Sequence, residues 1–268
     1  MAEANSVSTL GGSLTARLQL AHTTQTGAIQ MPATTRHVLI EVGCSDRDTL
    51  DQDPIFTEDA ASFLISFEPL VDKYAVLLGR GTARFHGRTT DRSVPLGHHH
   101  ARGVVLPFAL SPRGGPTSFH VSKIAGCSSY LDRTDRSWAA CSNVREQRTV
   151  PSITLADALG LAGSLPVRYL RLDAQGADYA LIRATDPGLL RTRVERISME
   201  IVASDCRPLY AGQARCDEVV QYMRSIGFAT RNDSMRIHHG RVAVAGCQRW
   251  ARGGARVCEG DATFYREL

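Results

Sequence analysis

The chain of 268 residues has no long hydrophobic run. Its longest apolar runs have the length of a strand, well short of the roughly 20 apolar residues that a membrane-spanning helix needs, so no membrane span is predicted. Lysine is almost absent, with only Lys73 and Lys123, and the net charge of +4 is spread along the chain. Nucleic-acid binding calls for a clustered basic patch, so we expect no nucleic acid among the partners.

Three catalytic signatures are also missing. Without G-x-S-x-G there is no support for a hydrolase with a nucleophile elbow. Without G-x-x-x-x-G-K-[ST] there is none for nucleoside triphosphate hydrolysis. A nicotinamide-dependent oxidoreductase would need G-x-G-x-x-G, but the turn after the first strand has a lone Gly43 followed by Cys, Ser, Asp and Arg. Such a turn offers a pyrophosphate few open backbone N–H groups, which counts strongly against this class.

The seven cysteines are odd in number and include no C-x-x-C pair. Neither a disulfide framework nor a zinc ribbon is indicated, so we expect reduced thiols in a cytoplasmic compartment, with Cys247–Cys258 as the one plausible bridge. Residues 1–36 contain no apolar stretch typical of a secretory signal. They are expected to form a flexible arm, with an organellar targeting segment as the less favoured alternative.

From residue 37 onwards, strand-like apolar runs alternate with helix-like ones, which is typical of βαβ units. Two polar segments, 80–102 and 122–150, are long for structureless loops, and we expect them to be insertions that shape an acceptor pocket. The predicted fold is a single α/β domain over residues 37–268, doubly wound around a mainly parallel seven-stranded, Rossmann-like sheet. The predicted strands are 37–43, 63–68, 103–110, 117–121 (through a hairpin at 113–116), 167–173 and 194–202, with others near 228–231, 241–246 and 262–266.

The stretch from His37 to Pro69 reads strand, glycine turn, helix, strand, Glu-Pro, and it is the most informative part of the chain. In an open α/β sheet, ligands bind outside the carboxyl ends of the strands. Gly43 would let a cofactor approach the backbone, and Glu68 could accept both ribose hydroxyls of an adenosine. Asp173, at the tip of a strand expected beside the first, would face the same crevice. The simpler alternatives are an exposed strand-end Glu68 and an Asp173 that only caps the next helix.

Six blocks, taken in order, resemble the FkbM-type methyltransferases, which are S-adenosylmethionine-dependent enzymes with a class I, Rossmann-like fold. The blocks are IEVG (40–43), SFEP (66–69), GCSS (126–129), LDAQG (172–176), SME (198–200) and DATFYR (261–266). The resemblance implies S-adenosylmethionine as cofactor, methyl transfer to a hydroxyl of a small molecule or carbohydrate, and Asp173 at the junction of cofactor and acceptor. The implied cofactor-binding residues are Glu41, Gly43, Cys44, Ser45, Glu68, Pro69 and Ala109.

The other candidate catalytic residues are in the cluster His98-His99-His100. Neighbouring side chains on an extended segment point to opposite faces, so only His98 and His100 could converge, and no metal site is predicted. An imidazole titrates near neutrality, so either could serve as a general base from a lid over the acceptor. A solvated loop is the simpler interpretation.

One position departs from the FkbM pattern. The family usually has a second glycine four residues after Gly43, where this chain has Arg47. This departure keeps open an alternative function, a non-enzymatic binding protein derived from the methyltransferase fold. The nicotinamide-dependent oxidoreductase is less favoured, and the sequence carries no signal for an oligomeric state.

Overall fold

The structure, a computed structural model, describes residues 21–45, 50–79, 102–123, 126–134, 144–237, 242–244, 246–248, 250–252 and 255–267. The strands are β1 His37–Val42, β2 Ser62–Phe67, β3 Gly103–Leu106, β4 Ala109–Leu110, β5 Gly115–Ser122, β6 Val144–Ile153, β7 Val167–Leu172, β8 Arg196–Val202, β9 Phe228–Ile237, β10 Val242–Val244, β11 Trp250–Arg252, β12 Ala255–Val257 and β13 Glu259–Arg266. The helices are a 3-10 turn at Leu50–Gln52, α1 Pro54–Thr57, α2 Val71–Gly79, α3 Leu155–Gly160, α4 Asp178–Arg183, α5 Pro187–Arg193 and α6 Cys216–Ser225. None of these helices is long and apolar enough to cross a membrane.

The main sheet has eight strands in the order β10-β9-β13-β8-β7-β1-β2-β3. Strands β3, β2, β1, β7 and β8 run parallel. Strand β13 pairs antiparallel with β8, and β9 pairs antiparallel with β13, so β9 runs in the same direction as the parallel strands. The predicted mainly parallel α/β fold is therefore confirmed, with β10 as an eighth strand beside β9. Because the chain leaves β1 towards β2 and returns to β7 on its other side, strand order reverses at β1, which is where such sheets bind ligands.

Strands β1 and β2 are predominantly apolar and are buried along almost their whole length, as expected of parallel strands covered on two faces. Leu39 and Leu64 pack on one face against Phe56 of α1. Ile40 and Ile65 belong to the larger core on the other face. Residues 21–36 of the predicted arm also contact the domain: the buried Ile29 donates its N–H to the Leu161 carbonyl at 2.9 Å.

A second sheet of three strands, in the order β4-β6-β5, departs from the sequence prediction. The expected strand 103–110 breaks at Pro107, which cannot donate to a ladder, and β4 leaves the main sheet to pair with β6. The expected loop 122–150 contains most of β6, whose polar stretch 145–149 has no apolar alternation that would predict a strand. The hairpin predicted at 113–116 is wrong because β6 lies between β4 and β5. Insertion residues 80–101 lie outside the described ranges.

Two disulfides, Cys206–Cys258 and Cys216–Cys247, connect the end of β8 and the start of α6 to the tail of the chain. Cys127 is disulfide-bonded as well, and among the described residues Cys44 is the free, buried thiol. The prediction of reduced thiols, and of a Cys247–Cys258 bridge, is therefore wrong. Pairing cannot be deduced from spacing; here β13 runs antiparallel to β8, which brings Cys258 to the segment that follows β8.

Candidate active site

A cleft opens at the carboxyl ends of β1, β2 and β7, where strand order reverses. The turns after these strands form its floor, and residues from β4, β5 and the 126–130 segment form a wall. The lining residues are Val42, Gly43, Ser45, Glu68, Pro69, Leu70, Lys73, Phe108, Ala109, Leu110, Phe119, Gly126, Ser128, Tyr130, Asp173, Ala174 and Gln175.

Gly43 is required by the packing of two strands. Its φ is +75°, a conformation that L side chains rarely adopt, and an added Cβ would lie 2.1 Å from the main-chain oxygen of Asp173. The N–H groups of Gly43 and Cys44 both donate to the carbonyl of Phe67, at 3.0 and 3.1 Å. The turn after β1 is thereby held between the ends of β2 and β7.

Glu68 is buried, with 3% of its surface exposed, and is therefore not an ordinary exposed strand-end acid. The N–H of Leu70 donates to Glu68 Oε1 at 2.9 Å, and the N–H of Glu68 donates to the carbonyl of Leu106. The first bond holds the carboxylate and the second holds the main chain of Glu68 at the floor of the cleft, next to Pro69.

Glu41 lies beneath the cleft and does not line it. Its two register partners in the sheet contact it: Ser66 Oγ donates to Oε2 at 3.1 Å, and Arg171 Nη1 lies 3.4 Å from Oε1. The N–H of Leu50 also donates to Oε1, at 3.0 Å. Burial raises the pKa of Glu41 to about 7, against the opposing influence of Arg171. Glu41 thus connects the segment after β1 to the sheet.

Asp173 follows β7 and lies on the side of Gly43 opposite to Glu68, with 37% of its side chain exposed. Gln175 Nε2 donates to Asp173 Oδ1 at 2.7 Å, and Tyr210 Oη donates to Gln175 Oε1 at 3.1 Å. Ser129 Oγ donates to the carbonyl of Gln175 at 2.9 Å, and Gln175 itself has a left-handed backbone, with φ of +51°. A turn that hydrogen bonds hold in a seldom populated backbone conformation is typical of functional sites.

Two buried polar groups lie near this turn. Asp178 Oδ1 accepts the N–H of Ala174 at 2.9 Å, and burial raises the pKa of Asp178 to about 7. The hydroxyl of Tyr130 is buried and has no hydrogen-bond partner within the described part of the chain. Burial, followed by the charge of Asp178, raises the pKa of Tyr130 above its ordinary value, so the phenol stays protonated and can donate a hydrogen bond.

Of the predicted site residues, Gly43, Ser45, Glu68, Pro69, Ala109 and Asp173 line the cleft. Glu41 and Cys44 lie beneath it; burial raises the pKa of the Cys44 thiol, which packs against Leu77 and Val105. His98, His100 and Arg47 lie outside the described residues. In the part of the chain that is described, no group of three or more His, Cys, Asp or Glu side chains could hold a metal ion.

The cleft also contains residues that sequence reasoning did not propose for the site, among them Lys73, Phe119, Ser128, Tyr130 and Gln175. Ser128 and Gln175 belong to two of the FkbM-like blocks, and this could have predicted them as site residues. Lys73 and Phe119 stand in no motif, and only the fold brings them to the cleft.

The parallel sheet and its cleft at the switch point define a Rossmann-like fold of the class I methyltransferase type. Residues 40–229 match the family described as the methyltransferase FkbM domain, and the chain belongs to this family. No functionally curated protein matches the sequence.

Three solved structures are similar to the chain at low identity. The methyltransferase FkbM from Methylobacillus flagellatus KT is 10% identical, with a TM-score of 0.42 over 87% of this chain, which spans 44% of that protein. A fibrillarin/Nop5p complex is 9% identical, with a TM-score of 0.40 over 90% of this chain and 77% of the other. The 16S rRNA (adenine(1408)-N(1))-methyltransferase D21A mutant from Catenulisporales acidiphilia is 11% identical, with a TM-score of 0.35 over 88% and 90% of the two chains.

Proposed function

We propose that this protein is an S-adenosylmethionine-dependent methyltransferase that acts on a hydroxyl group of a small molecule or carbohydrate. The observation that carries the proposal is the convergence of Gly43, Glu68 and Asp173 in one cleft at the switch point of the sheet. Membership of the FkbM family supports the reaction class. The small, dispersed net charge remains our reason for expecting no nucleic acid as acceptor.

The donor set of the cleft fits this cofactor. Glu68 would accept the ribose hydroxyls, because the N–H of Leu70 holds its carboxylate and the residue lines the cleft. The apolar side chains of Leu70, Ala109 and Phe119 form one packed group beside Glu68 and offer a surface for an adenine ring. When bound, S-adenosylmethionine supplies an electrophilic methyl group on a sulfonium.

Asp173 would orient the acceptor. Its carboxylate is held by Gln175 and lies 3.9 Å from Arg171 Nη2, while its exposed part faces the cleft, where it can accept a hydrogen bond from a hydroxyl. Positioning of this kind supplies much of the rate of a bimolecular transfer. Phe108, Leu110 and Phe119 would exclude water from the reacting groups. His98 and His100 remain predicted candidates for the base.

Calorimetric titration tests the proposal. The purified protein is titrated with S-adenosylmethionine, S-adenosylhomocysteine and NAD, and we expect the first two to bind and NAD not to bind. Binding of NAD alone would favour the oxidoreductase, and binding of none of the three would contradict the cofactor assignment. Transfer of a labelled methyl group to hydroxyl-bearing acceptors then separates an enzyme from a non-enzymatic binding protein.

The disulfides indicate the kind of cellular compartment in which the protein works. Stable disulfides form in oxidising compartments and are rare in the cytosol, so we infer that the protein works in an oxidising compartment. This inference replaces the cytoplasmic location expected from the cysteine count.

A further inference from the structure

Lys73 is the one cationic side chain among the described residues that line the cleft. It lies in α2, is partly buried, and its Nζ is 3.4 Å from Ser45 Oγ. An ammonium has three donors, and this long contact uses only one of them. Lys73 therefore presents a positive charge with donor capacity at the turn after β1.

The charges of the cleft are complementary to S-adenosylmethionine. Two carboxylates, Glu68 and Asp173, face one ammonium, that of Lys73. The cofactor has the opposite arrangement, with a sulfonium and an α-ammonium against a single carboxylate. Interfaces are arranged so that opposite charges meet, which leaves Lys73 as the described partner for the carboxylate.

The position of Lys73 agrees with this pairing. Glu68 would bind the ribose, and the resemblance to the FkbM family implies that the methionine end lies at the turn that begins with Gly43. Ser45 belongs to that turn and is the residue that Lys73 contacts. We propose that Lys73, together with the hydroxyl of Ser45, binds the α-carboxylate of the methionine portion of the cofactor. This inference rests on the proposed function, because it assigns one end of the same ligand.

The test compares two ligands that differ in the carboxylate. S-adenosylhomocysteine has the amino-acid portion, whereas 5′-methylthioadenosine keeps the adenosine and sulfur but lacks the amino acid. The variant Lys73→Met should weaken S-adenosylhomocysteine binding by about 10- to 100-fold, the range for a charge-assisted hydrogen bond, and leave methylthioadenosine binding within about twofold. Lys73→Arg keeps the charge and should recover part of the loss.

Lys123→Met is the matched control, because it makes the same substitution at the other lysine, which is exposed and outside the cleft. It should alter neither affinity. An equal loss of both ligands in Lys73→Met would show a structural role, and no loss of either would show that Lys73 does not bind the cofactor; each result overturns the proposal. Wild-type protein that binds neither ligand would overturn the cofactor assignment itself, whereas wild-type binding with an unresponsive Lys73→Met would overturn only the role of Lys73.

Discussion

The main-chain oxygen of Asp173 occupies the space that a side chain at Gly43 would need, since an ideal Cβ there lies 2.1 Å from it. The carboxyl ends of β1 and β7 therefore approach each other too closely for any side chain at position 43. We predict that Gly43→Ala lowers the free energy of unfolding by about 3 kcal/mol or more, because backbone strain adds to a clash with main-chain atoms. Denaturant titration measures the change.

Gly27→Ala is the control for that experiment. Gly27 has a similar φ of +82°, but nothing lies within 4 Å of the added Cβ. Its free energy of unfolding should fall by only about 1 kcal/mol, the cost of placing an alanine in the left-handed conformation. Equal losses in the two variants would contradict the close approach of Gly43 to Asp173.

A second prediction concerns Glu68. Glu68→Gln keeps a carbonyl oxygen for the N–H of Leu70 but removes the charge that would strengthen two hydrogen bonds to ribose. S-adenosylhomocysteine binding should weaken by about 2–3 kcal/mol, measured by calorimetry. Glu41→Gln, at a buried carboxyl that does not line the cleft, should change the affinity far less. Unchanged affinity in Glu68→Gln would remove the main support for ribose binding.

The third prediction is a pH dependence of stability that arises from Glu41. Burial raises its pKa from 4.5 to about 7 in the folded protein, so the folded state holds this proton more tightly than the unfolded state does. The contribution of Glu41 to stability is therefore complete below pH 4.5 and is lost as the pH rises through about 7. As the pH rises across this range, the free energy of unfolding of Glu41→Gln should increase relative to that of wild type by on the order of 3 kcal/mol.

Urea denaturation of both proteins at several pH values measures this difference. The same substitution at the exposed Glu58 controls for the general effect of replacing a glutamate. A difference between Glu41→Gln and wild type that stays constant with pH would contradict the raised pKa.

The fourth prediction concerns the cysteines. Alkylation of the unfolded, unreduced protein should label Cys44, and peptide mapping should recover Cys206 linked to Cys258 and Cys216 linked to Cys247. The two bridges span 52 and 31 residues, so the loop-entropy model gives each about 3–4 kcal/mol of stability, and reduction should lower the melting temperature. Full labelling of these four cysteines in protein produced under oxidising conditions would contradict the pairing.

The core of the fold could be predicted because its strands have a strong local signal. The runs at 37–42 and 62–67 are predominantly apolar, and each leads directly into a site residue, so the crevice could be inferred with them. The strand at 144–153 could not, because its outer residues are polar and exposed and its position depends on pairing with β5.

Two features of the candidate site could not be predicted from the sequence, for a different reason. The place of Lys73 beside Ser45 depends on how α2 packs over the turn after β1, which no local pattern encodes. Burial of Glu68 likewise depends on its surroundings in the folded chain. The sequence could predict which residues lie at the strand tips. It could not predict the contacts between side chains from separate elements.

The position of β13 determines when this protein can finish folding during synthesis. β13 comes after β8 and β9 along the chain, yet it lies between them in the sheet. A ribosome delivers residues in order, so β8 and β9 emerge before the strand that joins them. Until residues 259–266 leave the exit tunnel, the nascent chain presents β8 with an open edge, which other chains can pair with. The Cys206–Cys258 bridge likewise cannot close until Cys258, the residue immediately before β13, has left the tunnel, so this bridge forms late in synthesis.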